Sequence, residues 1–447
     1  MQQFVPTCVV VAAGFLVACG SVGKVPATDG NTDSGGPQGP VTVTVLSTLG
    51  DGVPDSTAKV VFQDPDGVVV ADTAVDAMGH AQAMLPRGGT VSAIRITDMP
   101  ANLTASITST LGVLPGDNLT FGLKASATIL NQGGVTTMTA TSFMPVTGAT
   151  NYRFYTPCGF AGMAPAAPVP LTFHDSCHGA TFDLLGVTLG GTPNFLFLTG
   201  VTYTNNGSFA IPVLFNPMPN FTINMTNVPD AVSQMSVSRT TLLNNTPVLT
   251  NSTSVQGDPP AGNVSAVVPF PAGVGTRSEL SILMGRPDAT INQQHDVHTA
   301  SLGTSATVDL GPQQLPWFTN FAQTAKGATW TMAAPGNPPD GMMVTWSGSW
   351  NDGARPVAIS WSVAQAAAMT GMTLPKLPPA YAMIDPGQQT VAVTPTSAIM
   401  YMADYDNVTG YDQLRQMPET LLTTTIGTMG AFVGMPFQRR IMTARAP

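Results

Sequence analysis

Polar and apolar residues alternate one by one along much of this chain, and the residues that usually build helices are nearly missing. Val41, Val43 and Val45 alternate with Thr42 and Thr44, and Leu103, Ala105 and Ile107 with Thr104, Ser106 and Thr108. Phe221, Ile223 and Met225 take turns with Thr222, Asn224 and Thr226; Val357, Ile359, Trp361 and Val363 do so with Ala358, Ser360 and Ser362. A period of two gives each segment one apolar and one polar face, the pattern of a half-buried strand. Charged residues make up 9% of the 447, against about 25% in ordinary soluble domains, and there are two glutamates and five lysines. Solvated helix faces need Glu and Lys, whereas Thr and Val suit a pleated surface. The expectation is an all-β chain of tandem antiparallel β-sandwich (Ig-like) domains, with helix confined to Ala364 to Met369 and Tyr411 to Gln416.

Turn signals punctuate the strands: Asp64-Pro65-Asp66-Gly67, Leu114-Pro115-Gly116-Asp117, Asn205-Asn206-Gly207 and Asp352-Gly353. A membrane barrel also alternates, but 39 prolines, many in or beside strands, would leave ladder positions without donors in lipid. Residues 19–40 are mostly Gly, Ser, Thr, Asp and Pro and read as a flexible tether. Domains are then expected at 41–124, 125–230, 231–310 and 311–447, the last being Trp-rich. The joints near 230 and 310 are drawn from Pro and Gly clusters at 257–263, 271–275, 311–316 and 335–341. One large composite sandwich over 126–440 is the alternative. No fixed-period repeat is visible beyond Lys124. The net charge of −9 is spread thinly with no basic patch, which excludes nucleic acid as an expected partner.

Val9 to Ala18 is apolar but half the length needed to span a bilayer. It ends in Leu16-Val17-Ala18-Cys19 followed by Gly20, which resembles the lipobox of bacterial lipoproteins. That resemblance implies a signal peptide over 1–18, lipid carried by Cys19, and an outer-membrane lipoprotein facing the periplasm or the cell surface. With Cys8 removed and Cys19 acylated, Cys158 and Cys177 are an even pair in an exported protein and are expected to form a disulfide. Gly52-Val53-Pro54-Asp55-Ser56-Thr57-Ala58-Lys59-Val60, Asp66-Gly67, Thr73, Val75-Asp76-Ala77-Met78-Gly79-His80-Ala81 and Gly88-Gly89-Thr90-Val91 together resemble carboxypeptidase-regulatory-like and bacterial Ig-like domains. This likeness implies a sandwich over 41–97, extending toward 124, and carries no activity. The later layout, with its tryptophans and Gly410-Tyr411-Asp412, is similar to uncharacterised lipoproteins of the myxobacterial type.

Candidate chemistry is sparse. His174-Asp175-Ser176-Cys177-His178 reads first as a polar disulfide loop, with zinc or copper chelation by the two histidines as the alternative. His295-Asp296-Val297-His298 reads as loop or strand rather than a helical metal pair. Asp404, Asp406 and Asp412 surround Gly410 and offer a weak calcium site against a plain Asx-rich turn. Asp64, Asp66, Asp72 and Asp76 are expected in hairpin turns. Trp317, Trp330, Trp346 and Trp350, with Trp361, either fill a core or form a ligand platform that stacks on sugar rings. No G-x-S-x-G, H-E-x-x-H, G-K-[ST] or G-x-G-x-x-G after a strand occurs, so no catalytic residue is assigned. The expected function is that of a non-enzymatic envelope lipoprotein, held to the membrane by lipid on Cys19 and needing no cofactor beyond it. The alternatives are a carbohydrate- or protein-binding adhesin acting through the tryptophans, and a hydrolase with Asp and His from separate loops.

Overall fold

The first strand of the chain, Gly39–Val45, buries Val41, Val43 and Val45 and turns the threonines between them outward, as its alternation demands. Strands make up nearly all the regular secondary structure of the computed structural model. It describes residues 38–47, 52–122, 135–174, 179–230, 232–243, 246–255, 262–275, 277–286, 291–299, 303–311, 314–332, 336–367, 370–417 and 437–446. The protein is all-β. Among these residues no helix is long and apolar enough to cross a membrane.

The strands group into four sandwiches, over residues 39–121, 135–217, 220–309 and 318–445. The first three share one topology. In each, the module's first strand pairs antiparallel with its fourth and parallel with its seventh. The third, second, fifth and sixth strands, in that order, form the opposing sheet. In the fourth module Gly327–Met332 occupies the central place, paired antiparallel with Gly371–Thr373 and, on its other side, with the leading strand Phe318–Thr324. A strand from either end of a module can thus protect the same edge, and edges must be covered or paired. The repeat lies in connectivity alone, and for that reason it is not visible as a spacing of residue types.

Three of the four larger sheets are hydrogen-bonded edge to edge into one sheet of twelve strands. Ile291–Thr299 of the third module pairs antiparallel with Phe437–Arg445 of the fourth. Pro356–Gln365 of the fourth pairs in parallel with Asn102–Val113 of the first, from Val357 opposite Leu103 to Ala364 opposite Thr110. The fourth module therefore sits between the third and the first. Strand Asn220–Val228 pairs with Gly262–Pro269 and Ser305–Asp309, so the second joint falls just before residue 220 and not near 230.

One continuous apolar core lies between the twelve-stranded sheet and the smaller sheets of the third and fourth modules. It also takes in Val61, Ile94, Leu103 and Ile107, from the outer face of the first module's larger sheet. The opposite face, with Val60, Phe62, Val91 and Ala93, closes the first module's own core. Such strands are buried on both sides, which is why Met342, Met343 and Val344 run together without alternation. The segment after Thr373 docks on the first module: Gln63 Nε2 donates to Lys376 O at 2.9 Å and Tyr381 Oη to Asp72 Oδ1 at 2.8 Å. Ala364 and Gln365 end a strand and do not begin a helix, because pairing with neighbours on both sides outweighs alanine's preference. Among the described residues helix is limited to Tyr411–Leu414 and the 3-10 turns Pro379–Ile384 and Pro386–Gln388.

Candidate functional site

The five tryptophans do not form a platform. Trp317, Trp330, Trp346, Trp350 and Trp361 are all buried, at 5%, 3%, 0%, 5% and 0% exposure, in the common core. Each indole removes roughly 150–250 Å² from water, about 4–6 kcal/mol of gross apolar transfer, so inward positions on alternating strands claim them. Three of the polar edges are used internally: Trp317 Nε1 donates to Gln314 Oε1 at 3.1 Å, Trp346 Nε1 to Thr324 O at 2.9 Å and Trp361 Nε1 to Ser109 Oγ at 2.9 Å, while Trp350 Nε1 is buried without a hydrogen bond among the described residues. Of the two readings of these residues, the core is the one the structure shows, and the sugar-stacking platform at Trp317, Trp330, Trp346 and Trp350 is not formed.

Nor do Asp404, Asp406 and Asp412 make a cation site. Arg440 lies between the first two, its Nε 2.6 Å from Asp404 Oδ2 and its second amine on Asp406. Asp412 pairs with Arg415, whose Nε is also 2.6 Å from Asp117 Oδ2. The carboxylates are spent on guanidinium groups, which removes the calcium reading. Among the described residues no three His, Cys, Asp or Glu side chains converge in a metal-binding group. Asp64 and Asp76 are hairpin residues as expected, each accepting two backbone N–H bonds from its own turn.

The remaining sequence candidates divide. The signal segment, Cys19 and the tether to residue 37 lie outside the described residues, as do Asp175, Ser176, Cys177 and His178. Cys158 is half-buried against the second module's core, and its N–H donates to Thr156 Oγ1 at 3.2 Å. His174 closes the strand Val169–His174. His295 is buried within Ile291–Thr299, with Nε2 3.1 Å from Gln438 Oε1, and burial lowers its pKa. Next to it, Asp296 and Arg439 face each other across the seam of the third and fourth modules at 2.6 Å, both almost wholly buried. Burial, then the charge of Asp296, pushes the Glu279 carboxyl up to about 8. This array is internally paired and serves to lock strand register.

A cleft of ≈ 480 Å³ opens where the second module meets the third. Alternation along Asn151–Thr156 sends Tyr152 and Phe154 into the second module's core and leaves Arg153 and Tyr155 on the outer face. Val187 and Leu185 lie beside them on the neighbouring strand, opposite Arg153 and Tyr155. Tyr155, Leu185 and Val187 pack on Leu243, Val248 and Val274 of the third module, which gives the seam an apolar base. The far wall is Leu249 to Ser252, part of Thr246–Val255. That strand is an edge of the twelve-stranded sheet, and an edge presents unpaired backbone donors and acceptors outward. Asn251 is fixed by donating Nδ2 to Pro269 O at 2.7 Å. Among the described residues Arg153 is the one charged side chain of the lining, and its Nε is buried without a hydrogen bond to them. An apolar base with a few convergent polar groups is the usual make-up of a small-ligand site. The sequence hides it, because Arg153 and Asn251 come from different modules. A lone arginine between Tyr152 and Phe154 was the available signal.

Comparison with known proteins adds little. No family model matches the chain, and no curated protein does. Among solved structures, a candidate adhesin of Bacteroides ovatus ATCC 8483 aligns at 11% identity over 62% of this chain and 90% of its own, with a TM-score of 0.16. A DUF3823 family protein of Bacteroides uniformis ATCC 8492 aligns at 7% identity over 56% and 90%, with a TM-score of 0.14. The pilus adhesin SpaC of Lactobacillus rhamnosus GG aligns at 10% identity over 74% and 44%, with a TM-score of 0.13. Superpositions this loose carry neither fold nor role from those proteins to this chain.

Proposed function

We propose that this chain is a non-enzymatic binding protein of the cell envelope, presenting the cleft between its second and third modules to an external glycan or protein. The observation that carries this reading is the cleft itself: polar groups and one arginine gathered over an apolar base, on a surface otherwise poor in charge. Rigid sandwiches on both sides hold its walls in place, as recognition requires. The lipobox-like Leu16 to Cys19 and the polar segment after it support attachment to the outer membrane by lipid on Cys19. A disulfide between Cys158 and Cys177 belongs to the same proposal. It is supported by the even pair of cysteines that remains once Cys8 is assigned to the leader and Cys19 to the lipid.

The test is binding of the full-length, detergent-solubilised protein to glycan and peptide arrays, beside a Ser252→Trp variant. Ser252 is exposed on the cleft wall, so an indole there fills the space without entering a core. Retained ligands should be lost by the variant. Ligands bound equally well by both proteins would place recognition elsewhere and refute the cleft.

A further inference from the structure

We infer that the cleft takes an acidic sugar, with the Arg153 guanidinium receiving the carboxylate of a uronic acid residue; this rests on the cleft being the ligand site. Of the other ten arginines, Arg95, Arg355, Arg415, Arg439 and Arg440 each sit against an aspartate. Arg239 is held between two rings, 3.4 Å from the Phe270 centroid and 3.9 Å from that of Phe221, and Arg286 lies 5.8 Å from the Trp317 ring. Among the described residues Arg153 has neither an aspartate nor an aromatic face of this kind. It is half-buried and borders the cleft, whose other described lining residues are neutral. A guanidinium beside a cleft with no carboxylate among those residues leaves the place of its counter-charge to an incoming anion.

The form of that anion follows from the remaining lining. A guanidinium edge offers parallel donors that fit a planar carboxylate. A single cation suits one negative charge better than the dianion of a phosphate monoester. Ser252 and Asn251 contribute hydroxyl and amide groups of the kind that sugar hydroxyls exchange bonds with, while the partly exposed Leu189, Met218 and Leu249 give an apolar surface for a ring. The volume of ≈ 480 Å³ falls in the range of small-ligand sites, about 300–1,000 Å³. A peptide adding as a strand needs a longer open edge than the four residues Leu249 to Ser252 that line the cleft.

The experiment is calorimetric titration of the full-length protein in detergent with three probes: oligogalacturonides, the same oligomers amidated at the carboxylates, and peptides ending in a free carboxylate. Arg153→Gln and Ser252→Trp are titrated in parallel, with melting curves to show that each variant folds. The expected result is binding of the acidic oligomers alone, weakened about tenfold or more by Arg153→Gln or by amidation, as loss of a charge-assisted pair predicts. Equal binding of acidic and amidated oligomers, indifferent to Arg153→Gln but lost in Ser252→Trp, would overturn the acid-specific inference and leave the cleft standing. Binding that survives Ser252→Trp would remove the cleft as well. Recognition of the peptides in place of the oligomers, or of no uronide at all, would also overturn the inference.

Discussion

Trp361 donates its indole N–H to Ser109 Oγ across 2.9 Å, with both side chains fully buried and 252 positions apart in sequence. Ser109 Oγ is in turn 2.7 Å from Ser92 Oγ, so the bond continues a short hydroxyl chain from the fourth module into the first. It sits on the parallel seam between Pro356–Gln365 and Asn102–Val113. Trp361→Phe keeps most of the apolar volume but strips the donor and leaves a small void. The expected loss is about 1–3 kcal/mol, seen as a lower thermal midpoint. An unchanged midpoint would mean that the seam draws nothing from this contact.

The second seam depends on charge. Asp296 and Arg439 are 0% and 1% exposed at the side chain, so removing either strands the other in a dry environment. Asp296→Asn should therefore destabilise the protein by about 3–5 kcal/mol, while the double change Asp296→Leu with Arg439→Met should recover much of that loss. Denaturant melts of the three proteins decide it. A double variant no better than the single one would show that the pair contributes more than mutual neutralisation.

Glu279 links that seam to pH. Its folded pKa, about 8, lies above the ordinary value of 4.5, chiefly through burial and then through Asp296. The folded state thus holds a proton that the unfolded chain releases, and this carboxyl's contribution to stability falls as pH rises from about 4.5 to about 8. Glu279→Gln cannot release the proton. The variant should match the wild type near pH 4 and exceed it above pH 8 in thermal midpoint. Parallel curves across that window would refute the assignment.

Attachment and oxidation are tested together on whole cells. Cys19→Ser should move the protein from the detergent phase to the aqueous phase in cloud-point partitioning, because the acyl chains supply the membrane affinity. Non-reducing peptide mapping should recover Cys158 linked to Cys177. Unchanged partitioning, or free thiols at 158 and 177, would each contradict the proposed compartment.

The strands were legible because alternation is local. Val41 to Val45, Phe221 to Met225 and Val357 to Val363 each declare an inward face within a few residues, and Gly67 and Gly353 supply the positive φ, 79° and 93°, that their hairpins need. The joining of modules was not legible. Nothing near Leu103 indicates that its partner is Val357, because an edge strand looks the same whether it meets solvent or another sheet. The tryptophans were half legible: Trp361 alternates inward, but which face of a shared sheet is covered depends on modules far away in the chain. The cleft was illegible for the same reason, since residues 153 and 251 become neighbours only when two modules dock.

Phe437–Arg445 follows every other described strand in sequence yet lies in the interior of the twelve-stranded sheet, with Thr394–Tyr405 on one side and Ile291–Thr299 on the other. Its place makes it a keystone for the strands that precede it. During synthesis the earlier sandwiches emerge with their joining edges bare, and the shared sheet closes only once residues 437–445 have been delivered.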